Sequence, residues 1–403
     1  MIISNSSKES NIALKLASYS LAGITLDENP YSDDELKAVY KYAAKSKLAA
    51  ISFAPIEGVL DEDKLFDEES FYYEWKKLFL NAYRRSQLFD KETKAIANAF
   101  DKNGIWYMPL KGSVIKKFYP NPDAREMNDV DILIDDTKRD EIKDVMNNLG
   151  FKVHIPDYVK DPDVEKGEIT KGENADEYFK EPFFHYELHK YLIEESYNPK
   201  MAKYYQSVQD MLIKDSDNEC GYHFKDEDFY IYLFAHAHKH FQRNGIGPRF
   251  LMDVYVYLNS HKDMDFIYIE ETCDKFGMKD FESDVRTIAL ETFDLESEIK
   301  EEELSDSQRK LYDSVIGAGV FGNLETRWKN EAYEMETKNE GSLTKKEYIK
   351  KRMFPDEQWY RIYHPFVARH RILKGPFTVY RLVVLAFRGR NRIKREIDYF
   401  DED

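Results

Sequence analysis

Between residues 105 and 113 the chain reads Ile-Trp-Tyr-Met-Pro-Leu-Lys-Gly-Ser, and residues 128–135 read Asn-Asp-Val-Asp-Ile-Leu-Ile-Asp. No other stretch constrains the fold as tightly. Residues 105–110 are a short apolar run, and Pro109 places its end at a sheet edge or strand terminus. Gly112 removes a Cβ where the chain must turn and approach a ligand closely. Ser113 then opens a helical stretch that runs from Val114 to Tyr119 and suits its N-terminus. Free backbone N–H groups and a partial positive charge at such a helix start stabilise a phosphate. Lys111 and Arg125 are suited to adding charge-assisted contacts to phosphate oxygens.

In the second strand, side chains alternate faces with period two. Asp129 and Asp131 therefore point one way and Val130 the other. Two carboxylates this close repel, which raises their pKa values unless a cation joins them. Mg²⁺ (or Mn²⁺) takes one or two carboxylates together with substrate phosphates and water, a set this pair supplies in part. A second metal would stabilise both the attacking and the leaving oxygen of an in-line displacement. The plainer reading is a solvated acidic strand end formed by Asp129, Asp131, Asp135 and Asp136. The order, phase and flanking strands of the two motifs favour metal-assisted transfer of a nucleotide.

The segments Leu110-Lys111-Gly112-Ser113, Tyr119-Pro120, Arg125 and Asn128–Ile134 resemble the nucleotidyltransferase superfamily that includes DNA polymerase beta. More narrowly, they resemble a family of uncharacterised bacterial nucleotidyltransferases. Seventeen positions separate Gly112 from Asp129, a long spacer for the superfamily but a natural one for the narrower family. Glu187-Leu188-His189, after the aromatic run 183–186, is similar to the strand that carries the superfamily's third metal-facing carboxylate. The resemblance thus implies that Glu187 completes the metal set with Asp129 and Asp131; on the residues alone, a satisfied strand-end pair is the other reading. The blocks 236–240, 245–249 with Asp253, and 353–365 also resemble the family. The likeness is intermittent over residues 80–390 and strong only at 105–135.

A chain of 403 residues can build two or three packed lobes. It has no apolar stretch long enough to span a bilayer and no signal-peptide pattern at its start. Cys220 and Cys273 provide neither a disulfide framework nor zinc spacing. A cytoplasmic location is the default expectation. The formal net charge of −17 argues against nucleic-acid binding by the whole surface. Residues 344–395 nevertheless hold 15 Lys or Arg against three Asp or Glu, a net of +12. That basic segment suits an anionic partner, a membrane surface or a polyphosphate-bearing substrate, or it folds back on the acidic body. The apolar run Phe377–Phe387 needs cover and favours folding back.

Apolar spacing predicts helices over 33–50 and 71–103, then strands at 105–110, 129–135, 151–155 and 182–191 with helices at 113–119 and 137–149. Residues 156–178 read as a surface insertion. Helices return at 200–214, 226–241, 247–261, 265–277, 279–297 and 303–316. The expected class is α+β: a small mixed-sheet nucleotidyltransferase core flanked by N-terminal helices and a larger C-terminal helical region. The expected division is an N-terminal helical lobe at 1–103, a catalytic core at 104–195, a helical domain at 196–340 and a basic tail at 341–403.

Gly317–Gly322 matches a dinucleotide-binding pattern but follows a helix, so it reads as an interhelical turn. His236 and His240 share a helix face, yet no Glu supplies a metalloprotease pattern. The main reading of His236, His238 and His240 is structural, with contact to an acceptor or nucleotide as the lesser one. Arg249 and Asp253 share a helix face and suit a mutual pair.

The expected activity is metal-dependent transfer of a nucleoside monophosphate from an NTP to an acceptor, releasing pyrophosphate. Lys111, Gly112, Ser113 and Arg125 would hold the nucleotide. Asp129, Asp131 and Glu187 would hold the metal and carry the catalysis. A sugar, lipid-linked glycan or peptide acceptor follows from association with such families. The alternatives are a non-catalytic nucleotide- or partner-binding module, or a toxin-like transferase acting on tRNA or protein.

Overall fold

A computed structural model describes residues 2–3, 7–153, 174–195, 197–243, 245–296, 299–318 and 370–388, and the single positions 354, 360 and 367. In chain order, β1 (Ile2–Ile3) leads into α1 (Lys8–Leu21), α2 (Asp33–Ser46), α3 (Ala49–Phe53), α4 (Glu62–Phe66) and α5 (Phe71–Lys102). The middle of the chain holds β2 (Tyr107–Pro109), α6 (Gly112–Ile115), β3 (Val130–Ile134), α7 (Arg139–Asn148), β4 (Lys152–Val153), β5 (Ala175–Lys180) and β6 (Phe184–His189). Then come α8 (Pro199–Tyr204), β7 (Ile213–Lys214), β8 (Tyr222–His223), α9 (Asp226–Arg243) and α10 (Pro248–Ser260). The last elements are α11 (Phe266–Phe276), α12 (Lys279–Phe293), β9 (Ile299–Lys300), α13 (Asp306–Ala318) and α14 (Lys374–Arg388). No helix among the described residues is long and apolar enough to cross a membrane.

The fold is α+β, with a mixed five-stranded sheet in the order β2-β3-β6-β5-β4. β3 and β6 run parallel; the other neighbours are antiparallel. Along β3, Val130, Ile132 and Ile134 enter one core with Tyr186 and Leu188 of β6 and Phe89, Ile96 and Phe100 of α5. Leu133 enters a different core, built largely from α9 to α13. The period of two thus sends the β3 aliphatics beneath the sheet and leaves Asp131 on the upper face with Leu133. That upper face looks toward the C-terminal helices.

The 32 residues of α5 contain no Gly or Pro, and Ser70 caps its start by accepting from the Tyr72 N–H at 3.2 Å. Its buried positions (Tyr72, Trp75, Phe79, Ser86, Phe89, Ile96 and Phe100) recur at helical spacing. The first half packs on the N-terminal core, where the Trp75 ring lies 5.5 Å from Phe53. The second half packs under the sheet. One helix therefore fastens two cores together. α1 also joins distant parts: Leu14, Ala17 and Leu21 enter the core of the C-terminal helices, and β1 pairs in parallel with β9.

Several expectations need correction. Residues 175–178, expected within a surface insertion, belong to β5: Tyr178 is buried, and Asp176 is neutralised by Lys190, which lets a charged segment pair along β6. The rest of the expected insertion lies outside the described residues. The helix expected over 113–119 is a four-residue α turn followed by a 3₁₀ turn at Lys116–Phe118. Residues 33–50 break into α2 and α3 at Lys47, which takes φ +56°. Residues 200–214 give α8 and a 3₁₀ stretch rather than one helix, and α1 was not among the expected helices. Gly150 ends α7 at φ +85°, with the Phe151 N–H donating to the Met146 carbonyl at 2.9 Å. The glycine-rich stretch from 317 leaves the end of α13, and its remainder lies outside the described residues. Most of the basic segment 344–395 lies outside them too. Within it, Val379 and Tyr380 of α14 are 62% and 64% exposed.

Trp75 is fully buried and donates its indole N–H to the Ala49 carbonyl at 2.9 Å. Trp75→Ala is expected to cost about 3–5 kcal/mol, read from the midpoint of urea unfolding.

Candidate active site

β2 ends beside β3, where the Leu110 N–H donates to the Asp131 carbonyl at 2.9 Å. The chain then reverses through Lys111, which takes φ +47° and ψ −120°. Such a conformation costs a non-glycine residue of order 1–3 kcal/mol, and it points to function when the surroundings hold it in place. What holds it is an ion pair: Lys111 Nζ lies 2.6 Å from Asp131 Oδ1.

At Gly112 the missing Cβ leaves room for a neighbouring side chain. The left-handed residue is Lys111, whereas Gly112 is needed for space. A Cβ there would come within 2.6 Å of Arg125 Nη1. Arg125 is buried and cannot easily yield. Its Nε and Nη2 each donate to Asp253 at 2.7 Å, and Tyr119 donates to the same carboxylate at 2.7 Å. Asp253 thus pairs with Arg125 rather than with Arg249 on its own helix. Arg249 instead gives Nη1 to the Glu126 carbonyl at 2.9 Å. The Ser113 hydroxyl donates to the Leu110 carbonyl at 2.9 Å, closing the turn. Lys116 anchors the turn to α5 through Ser86 at 2.7 Å and Asp90 at 2.6 Å. Because α6 is one turn long, its macrodipole is small, and any anion here depends on N–H groups and nearby cations.

Parallel pairing of β3 with β6 puts Asp131 in register with Glu187 and Leu133 with His189. His185, Glu187 and His189 share the upper face, while Tyr186 and Leu188 point into the core below. Ligand atoms of Asp129, His185 and Glu187 lie within 4.8 Å of one another, as do those of Asp131, Glu187 and His189. His189 Nε2 is 2.8 Å from Asp131 Oδ1 and 3.5 Å from Glu187 Oε2. The Asn174 amide nitrogen lies 3.4 Å from His189 Nδ1, on the side of the ring away from Asp131. Arg85 braces the edge of the site, giving Nη2 to the Asn128 and Phe183 carbonyls at 3.0 and 3.3 Å.

The two aspartates differ electrostatically. Burial together with Asp131 and Glu187 raises the Asp129 pKa, against opposing effects of Lys111 and Arg249. Burial also works against the charge on Asp131, but Lys111 and His189 outweigh it and hold that carboxyl well below the usual range. Oxygen donors from Asp129, Asp131 and Glu187 make a hard set of the kind that Mg²⁺ or Mn²⁺ takes.

α9 covers the site. The charges of Lys111, Asp131 and Glu187 act on Tyr232, whose buried hydroxyl has no hydrogen-bond partner among the described residues. One and two turns further along, the His236 and His240 rings lie 4.4 Å apart. Burial, then Lys111, keep His236 well below the ordinary histidine range and so neutral at pH 7. His238 is structural, its Nδ1 2.8 Å from the Tyr197 hydroxyl. The three histidines therefore divide: His238 is hydrogen-bonded to Tyr197, whereas His236 is buried near Lys111 and against the His240 ring. None of them belongs to a metal-ligating cluster among the described residues. Sequence reasoning gave no site role to Tyr232, Arg85 or His185; the signal for Tyr232 and His236 is their i, i+4 spacing.

The family model of uncharacterised nucleotidyltransferases matches residues 32–294. The chain belongs to this family. It is accordingly a nucleotidyltransferase, and the match spans both the sheet and the α9–α12 helices that cover it. No curated protein and no solved structure matched the chain.

Asp253→Ala leaves the Arg125 guanidinium buried without its partner and is expected to cost about 3–5 kcal/mol in urea unfolding. Asp129 follows the opposite sign. A carboxyl whose folded pKa is raised loses stability as pH rises from its unfolded value, about 3.9, through its folded one. Asp129→Asn is therefore expected to raise the melting temperature of metal-free protein at pH 7 and to leave it unchanged near pH 3. Scanning calorimetry in chelator at both values checks this.

Proposed function

We propose that the chain transfers a nucleoside monophosphate from an NTP to an acceptor, with Asp129, Asp131 and Glu187 holding a divalent metal. One observation carries this reading: two in-register strands bring Asp131 and Glu187 together beside the Lys111-Gly112-Ser113 turn. A divalent ion held there supplies Lewis-acid stabilisation of charge on the transferring phosphoryl group. Mg²⁺ or Mn²⁺ fits the oxygen donors.

In this reading the turn N–H groups and Ser113 receive the β- and γ-phosphates. Arg125 presents Nη1 at Gly112 while Asp253 fixes its other two nitrogens, so the guanidinium is oriented before substrate arrives. The acceptor oxygen attacks the α-phosphorus and forms a new P–O bond. The bond from that phosphorus to the bridging oxygen of the β-phosphate breaks, and pyrophosphate leaves. The acceptor proton passes to Glu187, which is more exposed than its register partner Asp131. The α9 face carrying Tyr232 and His236 lies on the acceptor side, which makes it the place where a sugar, glycan or peptide hydroxyl would be recognised.

Asp129→Ala and Asp131→Ala are each expected to lower pyrophosphate release by roughly 100-fold or more while the circular dichroism spectrum is kept. The assay is phosphate detection with pyrophosphatase across a panel of NTPs and hydroxyl acceptors. Wild-type turnover by either variant would remove the carboxylates from the mechanism.

A further inference from the structure

The metal-site reading leaves open how many cations the three carboxylates take, and Lys111 bears on that number. Its ammonium lies 2.6 Å from Asp131 Oδ1, and the two side chains are only 15% and 9% exposed. The residue reaches this position from a backbone at φ +47°, a conformation that side-chain-bearing residues seldom adopt. The ion pair is therefore built into the turn rather than gathered by a long surface side chain.

The same Oδ1 accepts from His189 Nε2 at 2.8 Å. That oxygen is saturated by two donors, which leaves Oδ2 as the free donor atom of Asp131. A pair of divalent ions about 3.5–4 Å apart is clamped by groups that serve both ions. Asp131 is the natural shared ligand, lying two residues after Asp129 and opposite Glu187 on the neighbouring strand. With Oδ1 committed, it can serve one ion and not two. Charge leads to the same conclusion. Asp129, Asp131 and Glu187 carry three negative charges when ionised; Lys111 removes one, and a single divalent ion neutralises the other two.

We infer that this site takes one divalent cation and that the Lys111 ammonium stands where a second metal would otherwise sit. Lys111 is then a fixed second cation, present before substrate and independent of metal concentration.

The test counts Mn²⁺ on the full chain in the presence of one equivalent of α,β-methylene ATP, by electron paramagnetic resonance and calorimetry. The manganese complex of the free nucleotide is the reference. Wild type is expected to bind one Mn²⁺ per chain, with no spin-coupled pair. Lys111→Met is expected to bind a second Mn²⁺, giving a coupled signal. Lys111→Gly should do the same, and it relieves the strained backbone, so it serves if the methionine variant does not fold. Lys111→Arg should remain at one. A coupled pair in wild type overturns the inference, as does a count that stays at one in both charge-free variants. The Asp129→Asn/Asp131→Asn double variant tests the underlying reading separately. If its manganese signal equals that of wild type, the metal is not on these carboxylates and the failure belongs to the site assignment.

Discussion

One carboxylate oxygen, Oδ1 of Asp131, joins the three elements that build the candidate site. It lies on β3, takes a hydrogen bond from β6 through His189, and receives the ammonium of Lys111 from the turn after β2. The sheet register, the turn and the upper face all meet there. A buried charge is tolerated only where it is paired and hydrogen-bonded, so the surrounding structure must deliver both donors together. The strained backbone of Lys111 is part of the cost of doing so. Packing beneath the sheet keeps the two strands in place: Val130, Ile132, Tyr186 and Leu188 share a core with α5, and a slip of one residue would bring the acids into it.

A second buried pair connects this arrangement to the helices. Arg125 and Asp253 are 128 residues apart, and their two-pronged contact holds α10 against the turn at Gly112. Gly112 exists to leave room for that guanidinium. The family match runs through residue 294, and the geometry gives a reason: the helices over the sheet supply Asp253, Arg249 and the α9 face. The sheet alone would lack the counter-charge that fixes Arg125.

The α+β class, the strands that carry the acids and the long helix before them are legible in the sequence, because each rests on local period. The common face of Asp131 and Leu133 follows from alternation alone. β5 escapes such reasoning because its Asp, Glu and Lys read as surface, and only the tertiary partner Lys190 makes Asp176 acceptable in a strand. The broken helix after Gly112 escapes for a related reason: Lys116 is drawn down to Ser86 and Asp90 of α5, a contact that no local window contains. The expected Arg249–Asp253 pair is reasonable at i, i+4, but a bidentate partner elsewhere in the chain outcompetes it. His236 and His238 look equivalent as residues. Helical phase separates them, placing His236 near Lys111 and His238 against Tyr197.

The length of α5 has a consequence for how the molecule can be divided. Its first half is held by Trp75 and Phe79 in the N-terminal core, and its second half carries the sheet. Between the two, Arg85, Ser86 and Asp90 touch the backbone at Asn128 and the ammonium of Lys116. The helix is about 48 Å long at 1.5 Å per residue, stiff enough to act as a beam rather than a tether. A fragment trimmed to the sheet and its turn would lose one end of that beam, and with it the alignment of the strand edges. The smallest unit able to work thus begins well before the first strand of the sheet.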